Sequence, residues 1–321
     1  MIPSDDIEDQ GQSPRQTEEV KTLGGHLVER NQQPPVRSLN GEVTRDGHIA
    51  FAGGPHGAVW KGRQGKGGGE KDSADGVGEV ALKDYKPWEN KRSKRMRQGL
   101  EDKLLPHWAK LHHENLLPFY GIVTDIGKSF YTVSPWREKG NLLAYVKKYP
   151  HPDKHHLLRG SAAGLSYLHS MGYVHGNVKC SNVLITQEGE PQLCDFGIAA
   201  LVEDANGSRN TSSGEMIRYA APELIRDNCS TRTVSSDTYS FAMLILVCVT
   251  EEVPFLNITH DAAVVHARIT NGPLLPSRPN ELEGGEWVSD GLWNLMERCW
   301  SYSPGQRPTM EEIHRFFLEQ T

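Results

Sequence analysis

The hydrophobic pattern of this chain changes its period near residue 140, and this change limits the folds that the chain can adopt. Before it, short apolar runs alternate with glycine: Ile49–Ala52 ends at a Gly-Gly pair, Ala58–Lys61 follows as its hairpin partner, and Glu79–Lys83 predicts a third strand. After it, apolar residues recur at helical spacing, at Leu158, Ala162, Leu165 and Leu168. We therefore expect an α+β chain with a small β-rich lobe followed by a larger, mostly α lobe.

The remaining segments of the first half fit the same division. Glu42–Thr44 predicts a short edge strand, and the glycine-rich residues 62–78 predict a flexible loop between strands. A charged helix is expected from about Trp88 to Leu111, with Pro106 kinking or ending it. Residues 1–40 are polar and acidic and predict a disordered tail. The folded part is expected at 41–320, with the small lobe at about 41–135 and the large lobe at about 136–320.

Composition excludes several classes of function. The chain has 321 residues, of which 37% are hydrophobic and 24% charged, so it can bury a sizeable core. Its net charge of -6 argues against nucleic acid or anionic lipid as a partner. The five cysteines include no C-x-x-C pair, and the longest apolar run, Phe241–Val249, is too short to span a bilayer. We expect no membrane span and a cytoplasmic location, with the nucleus as an alternative.

Two polar segments in the second half carry a more specific signal. The first runs from His175 to Asn182 with the sequence H-G-N-V-K-C-S-N, and the second, Asp195-Phe196-Gly197, begins thirteen residues after Asn182. At this spacing they resemble the catalytic loop H-R-D-x-x-x-x-N and the D-F-G element of protein kinases. The resemblance covers about Glu42 to Phe317 and implies a bilobal protein-kinase fold. Three tripeptides are most similar to the tyrosine-kinase-like branch expanded in mushroom-forming fungi: Tyr167-Leu168-His169, Arg298-Cys299-Trp300 and Gln306-Arg307-Pro308.

The small lobe contains segments that resemble the phosphate-binding elements of that family. Residues 52–59 resemble the loop G-x-G-x-x-G-x-V, with Ala52 in place of the first glycine and with Gly54, Gly57 and Val59 retained. Glycines in such a loop let backbone N–H groups approach the phosphates of ATP. The strand ending at Lys83 resembles V-A-I-K, which implies that this lysine holds the α- and β-phosphates.

The segment between the lobes resembles the kinase hinge. The resemblance implies a small gatekeeper at Ser134 and backbone groups of Pro135 and Arg137 that face adenine. A small side chain at Ser134 would leave room behind the purine. The apolar residues expected to sandwich the ring are Val59, Ala81 and Leu184.

The two polar segments of the large lobe resemble the catalytic and metal-binding positions. Asn182 and Asp195 match the magnesium ligands of the family, and hard oxygens of this kind suit a cation that bridges phosphates. Lys179 matches the lysine that contacts the transferring phosphoryl group in serine/threonine-type loops. The position of the catalytic base holds Asn177, a neutral amide that has no useful basicity.

Two further positions depart from the family pattern. The helix position that should pair with Lys83 holds Leu104, and Glu101, one turn earlier, is a possible substitute. Met216 stands where a threonine usually lies three residues before Tyr219. The architectural residues are retained: Glu223 is expected to pair with Arg307, and Asp237 to accept N–H bonds from the catalytic loop.

The three departures all touch phosphoryl transfer, whereas the nucleotide-binding residues persist. This pattern favours a pseudokinase that binds ATP and Mg²⁺ and presents a surface to a protein partner. The alternative is a weak serine/threonine-type protein kinase that phosphorylates protein substrates with Lys179 or solvent as the proton acceptor.

Overall fold

The computed structural model describes residues 36–54, 57–65, 78–84, 91–127, 130–201, 214–226, 231–270, 274–279 and 288–320. The expected tail at 1–35, Pro55 and His56 of the glycine-rich loop, and most of the 62–78 loop lie outside these residues. Within them the chain forms the two expected lobes, the first built on a sheet and the second on helices.

The small lobe is an antiparallel sheet in which β2 pairs with β3 and the main path runs β1-β3-β4-β6-β5. Its inner face packs around Val80, Leu82 and Val133, which alternate with cleft-facing residues along β4 and β6. The strands are β1 (Val43–Arg45), β2 (Ala52–Gly54), β3 (Gly57–Gln64), β4 (Gly78–Asp84), β5 (Gly121–Val123) and β6 (Tyr131–Pro135).

The predicted strands are present, but two of their limits were wrong. Strand β2 begins at Ala52 rather than Ile49, and Ile49 and Phe51 are exposed. Strand β3, predicted to end at Lys61, extends through Gln64 into the segment predicted as loop, because β1 and β4 pair with it on both sides. Pairing on two edges thus stabilises residues whose sequence alone resembles a flexible loop.

Residues 37–39, at the start of the described chain, form backbone hydrogen bonds with β5 at the edge of the sheet. The N–H of Ile122 donates to the carbonyl of Arg37 at 2.9 Å, and the N–H of Leu39 donates to the carbonyl of Ile122 at 2.8 Å. The chain then crosses to β1 at the opposite edge, and Leu39 is fully buried. Gly121 permits this approach, since a Cβ there would lie 2.3 Å from the Arg37 carbonyl oxygen. The small lobe therefore includes residues upstream of 41.

The helix expected before Leu111 is present, and its proline distorts it as predicted. α1 (Lys91–Gly99) continues through a π-helical segment (Leu100–Leu104) into α2 (Leu105–Trp108), and Pro106 lies in the first turn of α2. The N–H of Leu105 bonds to the carbonyl of Leu100, five residues earlier. A π turn widens the helix locally, which accommodates a ring that would clash with the preceding turn.

The large lobe packs around one apolar helix, α7, which is buried along nearly its whole length and begins with a capping box between Thr233 and Ser236. A two-stranded sheet, β7 (Val183–Ile185) with β8 (Pro191–Leu193), packs through β8 against helix α4 (Lys154–Ser170). In the described part of the chain, no helix has both the length and the apolar character needed to cross a membrane. The helices are α3 (Leu142–Lys148), α4 (Lys154–Ser170), α5 (Gly214–Tyr219), α6 (Pro222–Arg226), α7 (Val234–Thr250), α8 (Asp261–Thr270), α9 (Asp290–Cys299) and α10 (Met310–Glu319).

Candidate functional site

The register of the small-lobe sheet brings the predicted nucleotide residues onto one face. Val59 lies directly opposite Lys83 on the neighbouring strand, and Ala81 lies opposite Ser134. Directly opposed residues share a face, and so do residues two apart along one strand, so these four side chains face the cleft together. Val80, Leu82 and Val133 point to the opposite face and form the lobe's core.

Two of the predicted glycines, Gly54 and Gly57, lie on either side of the connection between β2 and β3. Gly54 pairs with Gly57 at the end of the β2–β3 hairpin. Gly57 has φ +145, a conformation that residues with a Cβ rarely adopt. The glycine at this position is therefore required by the turn itself, whether or not a phosphate binds there.

Lys83 connects the two lobes. Its Nζ forms an ion pair with Oδ2 of Asp195, the first residue of the D-F-G element. Asp195 has φ +62, and the next residue, Phe196, is buried with its ring 5.4 Å from that of Trp108 on α2. The lysine and the acidic residue that the sequence assigned to phosphate and metal binding therefore lie in direct contact.

The helix does not supply the carboxylate that was considered for Lys83. Leu104 is buried in the π-helical segment, and Glu101 forms its ion pair with Arg97 on the same helix, with Nε and Oε1 3.0 Å apart. The prediction that Glu101 replaces the missing helix carboxylate as the partner of Lys83 is therefore wrong. Lys83 instead forms an ion pair with Asp195 of the D-F-G element.

One buried carboxylate, that of Asp237, binds the backbone of the catalytic loop. Asp237, which is 1% exposed, accepts the N–H bonds of His175 at 2.7 Å and of Gly176 at 2.8 Å, as the sequence predicted. His169 Nε2 lies 3.0 Å from the same side chain. Burial lowers the pKa of His175, which packs against the ring of Phe196.

Asn177 occupies the position of the catalytic base within this frame and is 8% exposed. Its carbonyl accepts a 2.8 Å hydrogen bond from Nδ2 of Asn182, and the Asn182 carbonyl accepts one of 2.9 Å from the N–H of Cys194. These bonds fix the loop relative to the strand that ends at Asp195. The loop therefore has an ordered frame but no basic group at residue 177.

The pKa of the Cys194 thiol reflects the charged groups around it, which include Lys179. Burial and the neighbouring Asp195 carboxylate raise the pKa of the Cys194 thiol well above its usual range, and the charges of Lys83 and Lys179 partly oppose that rise. Both lysines therefore act electrostatically on the same point of the cleft floor. A thiol with a raised pKa is a poor nucleophile, so we assign Cys194 a packing role.

The predicted hinge residues lie at the end of the last strand of the small lobe and just after it, and two aromatic residues beside them were not predicted as part of the site. Pro135 ends β6, and Arg137 extends its Nε to Oε1 of Gln192 at 2.9 Å. The ring of Phe51, 73% exposed, contacts that of Trp136 edge to face, with centroids 4.7 Å apart. The signal available in the sequence was an aromatic residue directly before the glycine-rich loop and another inside the hinge.

A small cavity of about 60 Å³ extends behind Ser134. This agrees with the expectation that a small side chain there leaves room behind the purine. Leu184, the large-lobe residue expected beside the adenine ring, forms an isolated β-bridge with Asn141. The residues around the cavity include Lys83, Trp108, Phe119, Thr132, Asp195 and Phe196.

The residues of the cleft fit a magnesium ion. The Asn182 amide nitrogen is committed to the Asn177 carbonyl, so its oxygen is the atom that can act as a ligand. Together with the Asp195 carboxylate it forms a donor set of hard oxygens, of the kind that Mg²⁺ prefers when phosphates complete its coordination. Lys83 and Lys179 supply further positive charge for a phosphate chain.

The end of the activation segment is anchored as predicted. Both guanidinium Nη atoms of Arg307 bond to the Glu223 carboxylate at 2.7 Å. Met216 is buried within α5.

A family model described as "protein tyrosine and serine/threonine kinase" matches residues 49–317, which is most of the chain and includes every site residue described above.

Proposed function

Because this chain belongs to the protein tyrosine and serine/threonine kinase family, we propose that it binds ATP with Mg²⁺ between its lobes and acts in signalling as a pseudokinase. Its phosphotransfer activity is lost or weak. The observation that carries this proposal is the contrast between a neutral Asn177 and an intact set of nucleotide-binding residues around it.

Support for nucleotide binding comes from the convergence of charge in the cleft. Lys83 is held by Asp195, and Asn182 is oriented by its bond to the catalytic loop. Val59, Ala81 and Ser134 share the cleft-facing side of the sheet. Bound Mg²⁺ would neutralise phosphate charge there, with Asn182 and Asp195 as its protein ligands.

The proposed loss of transfer follows from the chemistry of residue 177. An amide cannot accept the proton of an attacking hydroxyl, and loss of a general base typically costs roughly 10²- to 10⁴-fold in rate. Positioning and electrostatic stabilisation by the remaining residues can still leave measurable turnover. Reduced rather than zero activity is therefore compatible with the proposal.

The second candidate is a weak serine/threonine-type protein kinase, in which Lys179 or solvent accepts the proton. The observation that favours it is the ordered catalytic loop, in which Asp237 and Asn182 retain their bonds. In this reading protein hydroxyls are the substrate, whereas in the pseudokinase reading the chain needs a protein partner. We propose a cytoplasmic location for either role.

Two measurements on the full chain separate these candidates. The first is binding of a fluorescent ATP analogue with and without Mg²⁺, where we expect saturable binding that Mg²⁺ strengthens. The second is transfer of labelled phosphate from ATP to the protein itself and to a generic protein acceptor, where we expect background. Absence of binding would contradict both candidates, and ready turnover would favour the enzyme.

A further inference from the structure

Arg232, in the segment before α7, inserts its side chain into the catalytic loop. It is 6% exposed, and its Nη1 donates to the carbonyl oxygen of Gly176 at 2.8 Å. Its Nη2 lies 3.5 Å from Sδ of Met216 in α5. One buried cation thus contacts the residue before Asn177 and the activation segment at once.

The loop has a shape that admits this arginine. Gly176 has φ +76, and a Cβ at that position would lie 2.9 Å from Cδ of Arg232. The family's loop pattern has arginine at this position, whereas here a glycine leaves the space and a guanidinium from residue 232 fills it. Gly176 and Arg232 are therefore sterically complementary.

The other contact of Arg232, helix α5, is fixed from its far side. Arg218 donates to Asp261 at 2.8 Å and to three carbonyl groups of the loop between α7 and α8. Arg268 donates to the carbonyls of Ile217 and Ala220 at 2.8 and 2.6 Å. Because α5 is held in this way, a bond from Arg232 joins the catalytic loop to a rigid element.

Little space remains between the loop and the helix. Asn177, Met216, Arg232 and Asp237 line the same cavity, whose volume is about 10 Å³. That volume is about the smallest that can hold one water molecule, and a substrate side chain is far larger. The cavity is therefore too small for a substrate side chain.

We propose that Arg232 is an autoinhibitory lock that holds the activation segment against the catalytic loop and blocks phosphotransfer independently of Asn177. The lock deepens the proposed function, on which it rests, by adding a second obstacle to transfer. A carboxylate restored at residue 177 would share the cavity with the Arg232 cation, which would pair with it and lower its availability as a base.

The lock is tested first by amide hydrogen exchange on the full chain. Arg232→Met keeps an unbranched apolar side chain but removes the guanidinium group with its charge and donors, and we expect exchange of the 214–226 amides to accelerate about tenfold or more. Exchange within α4 should stay unchanged. Arg278→Met is the control, because Arg278, like Arg232, donates one bond to a carbonyl, that of Val288, while its second bond goes to the Asp290 carboxylate.

Two outcomes of this experiment decide the structural part of the proposal. Unchanged exchange at 214–226 in a folded Arg232→Met chain would overturn it. If that variant exchanges globally and has not folded, Arg232→Lys replaces it: a lysine retains the charge but cannot bridge both acceptors. We then expect a smaller acceleration confined to the same segment, and its absence would likewise overturn the lock.

The functional part is tested by phosphate transfer from labelled ATP with Mg²⁺. We expect Asn177→Asp alone to stay within about twofold of wild type, and Asn177→Asp with Arg232→Met to exceed it about tenfold or more. Equal activity of the single and double variants, whether high or at background, would overturn the lock as the block on transfer. ATP-analogue binding, measured on every variant, separates this result from a failure of the proposed function.

Discussion

The cleft has two halves, and they differ in how closely their residues match the pattern of the kinase family. In the phosphate half, Lys83, Asn182 and Asp195 keep the residue types of an active kinase and contact one another or the loop that orients them. In the transfer half, Gly176, Asn177 and Met216 have lost those types, and Arg232 fills the space between them. Both halves rest on Asp237, which accepts bonds from the loop they share.

This difference indicates that binding and transfer make separable demands on the fold. Nucleotide binding needs positive charge and hard oxygens at fixed positions, and the partly buried pair of Lys83 and Asp195 can supply these. Transfer needs an accessible base and an open path for the acceptor. In the proposed function the transfer half offers neither, yet it retains an ordered backbone in which Asp237 and Asn182 keep their bonds to the loop.

The strongest test of the shared frame is Asp237→Asn. The amide keeps the shape but loses the charge, and it cannot accept as strongly from the N–H groups of His175 and Gly176. Asp237 is 1% exposed, and hydrogen bonds to a buried charge contribute strongly to stability. We therefore expect Asp237→Asn to lower the free energy of unfolding by about 3 kcal/mol. Urea unfolding, monitored by fluorescence, measures it.

A carboxylate on the surface provides the control for this test. Asp290, whose side chain is 94% exposed, pairs with Arg278, so Asp290→Asn should change stability by less than about 0.5 kcal/mol. Equal effects of the two substitutions would show that Asp237 does not support the loop, and the two halves would then have no common base.

Nucleotide affinity tests the phosphate half alone. Lys83→Met removes a charge that pairs with Asp195 and faces the cleft, and we expect affinity for the ATP analogue to fall about 10- to 100-fold. Lys61→Met is the matched control, because Lys61 lies on the same face of the sheet and pairs with Glu79 instead. A comparable loss in both variants would mean that general charge, rather than the pair with Asp195, determines binding.

Sequence patterns predicted the phosphate half more completely than the transfer half. Motif spacing predicted Lys83, Asn182 and Asp195 as site residues because each belongs to a short pattern of the family, and the hydrophobic period predicted both lobes. The Lys83–Asp195 pair and the role of Arg232 depend on contacts across 112 and 56 residues, respectively. Local patterns do not encode such contacts, so Glu101 was considered for Lys83 and Arg232 was overlooked.

The fit between Gly176 and Arg232 can be separated from backbone strain. Gly176 and Gly172 have φ +76 and +78, but a Cβ at Gly172 would meet nothing within 4 Å. Replacement of either by alanine costs about 1 kcal/mol for the left-handed backbone, and we expect about 1 to 2 kcal/mol more at Gly176 from the clash with Arg232. Urea unfolding of Gly176→Ala and Gly172→Ala gives the difference, and equal losses would contradict the steric complementarity on which the lock depends.

The smallest expected effect concerns His175, which lies between the halves and contacts Phe196 on one side and the N–H of Asn177 on the other. Burial lowers the pKa of His175 in the folded chain, so the unfolded chain binds the proton more readily. Its contribution to stability is therefore complete above the unfolded pKa of about 6.5 and is lost as pH falls below that value.

For a single histidine the loss cannot exceed about 1.4 kcal/mol per pH unit, so we expect the melting temperature to fall measurably between pH 7 and pH 5.5. Burial also lowers the pKa of His107, His113 and His314, and these residues contribute to the same slope. His175→Gln should therefore reduce the pH dependence without abolishing it, whereas His48→Gln, at an exposed position, serves as the control. If the slope is the same in all three proteins, proton binding at His175 does not couple the two halves, and Asp237 alone joins them.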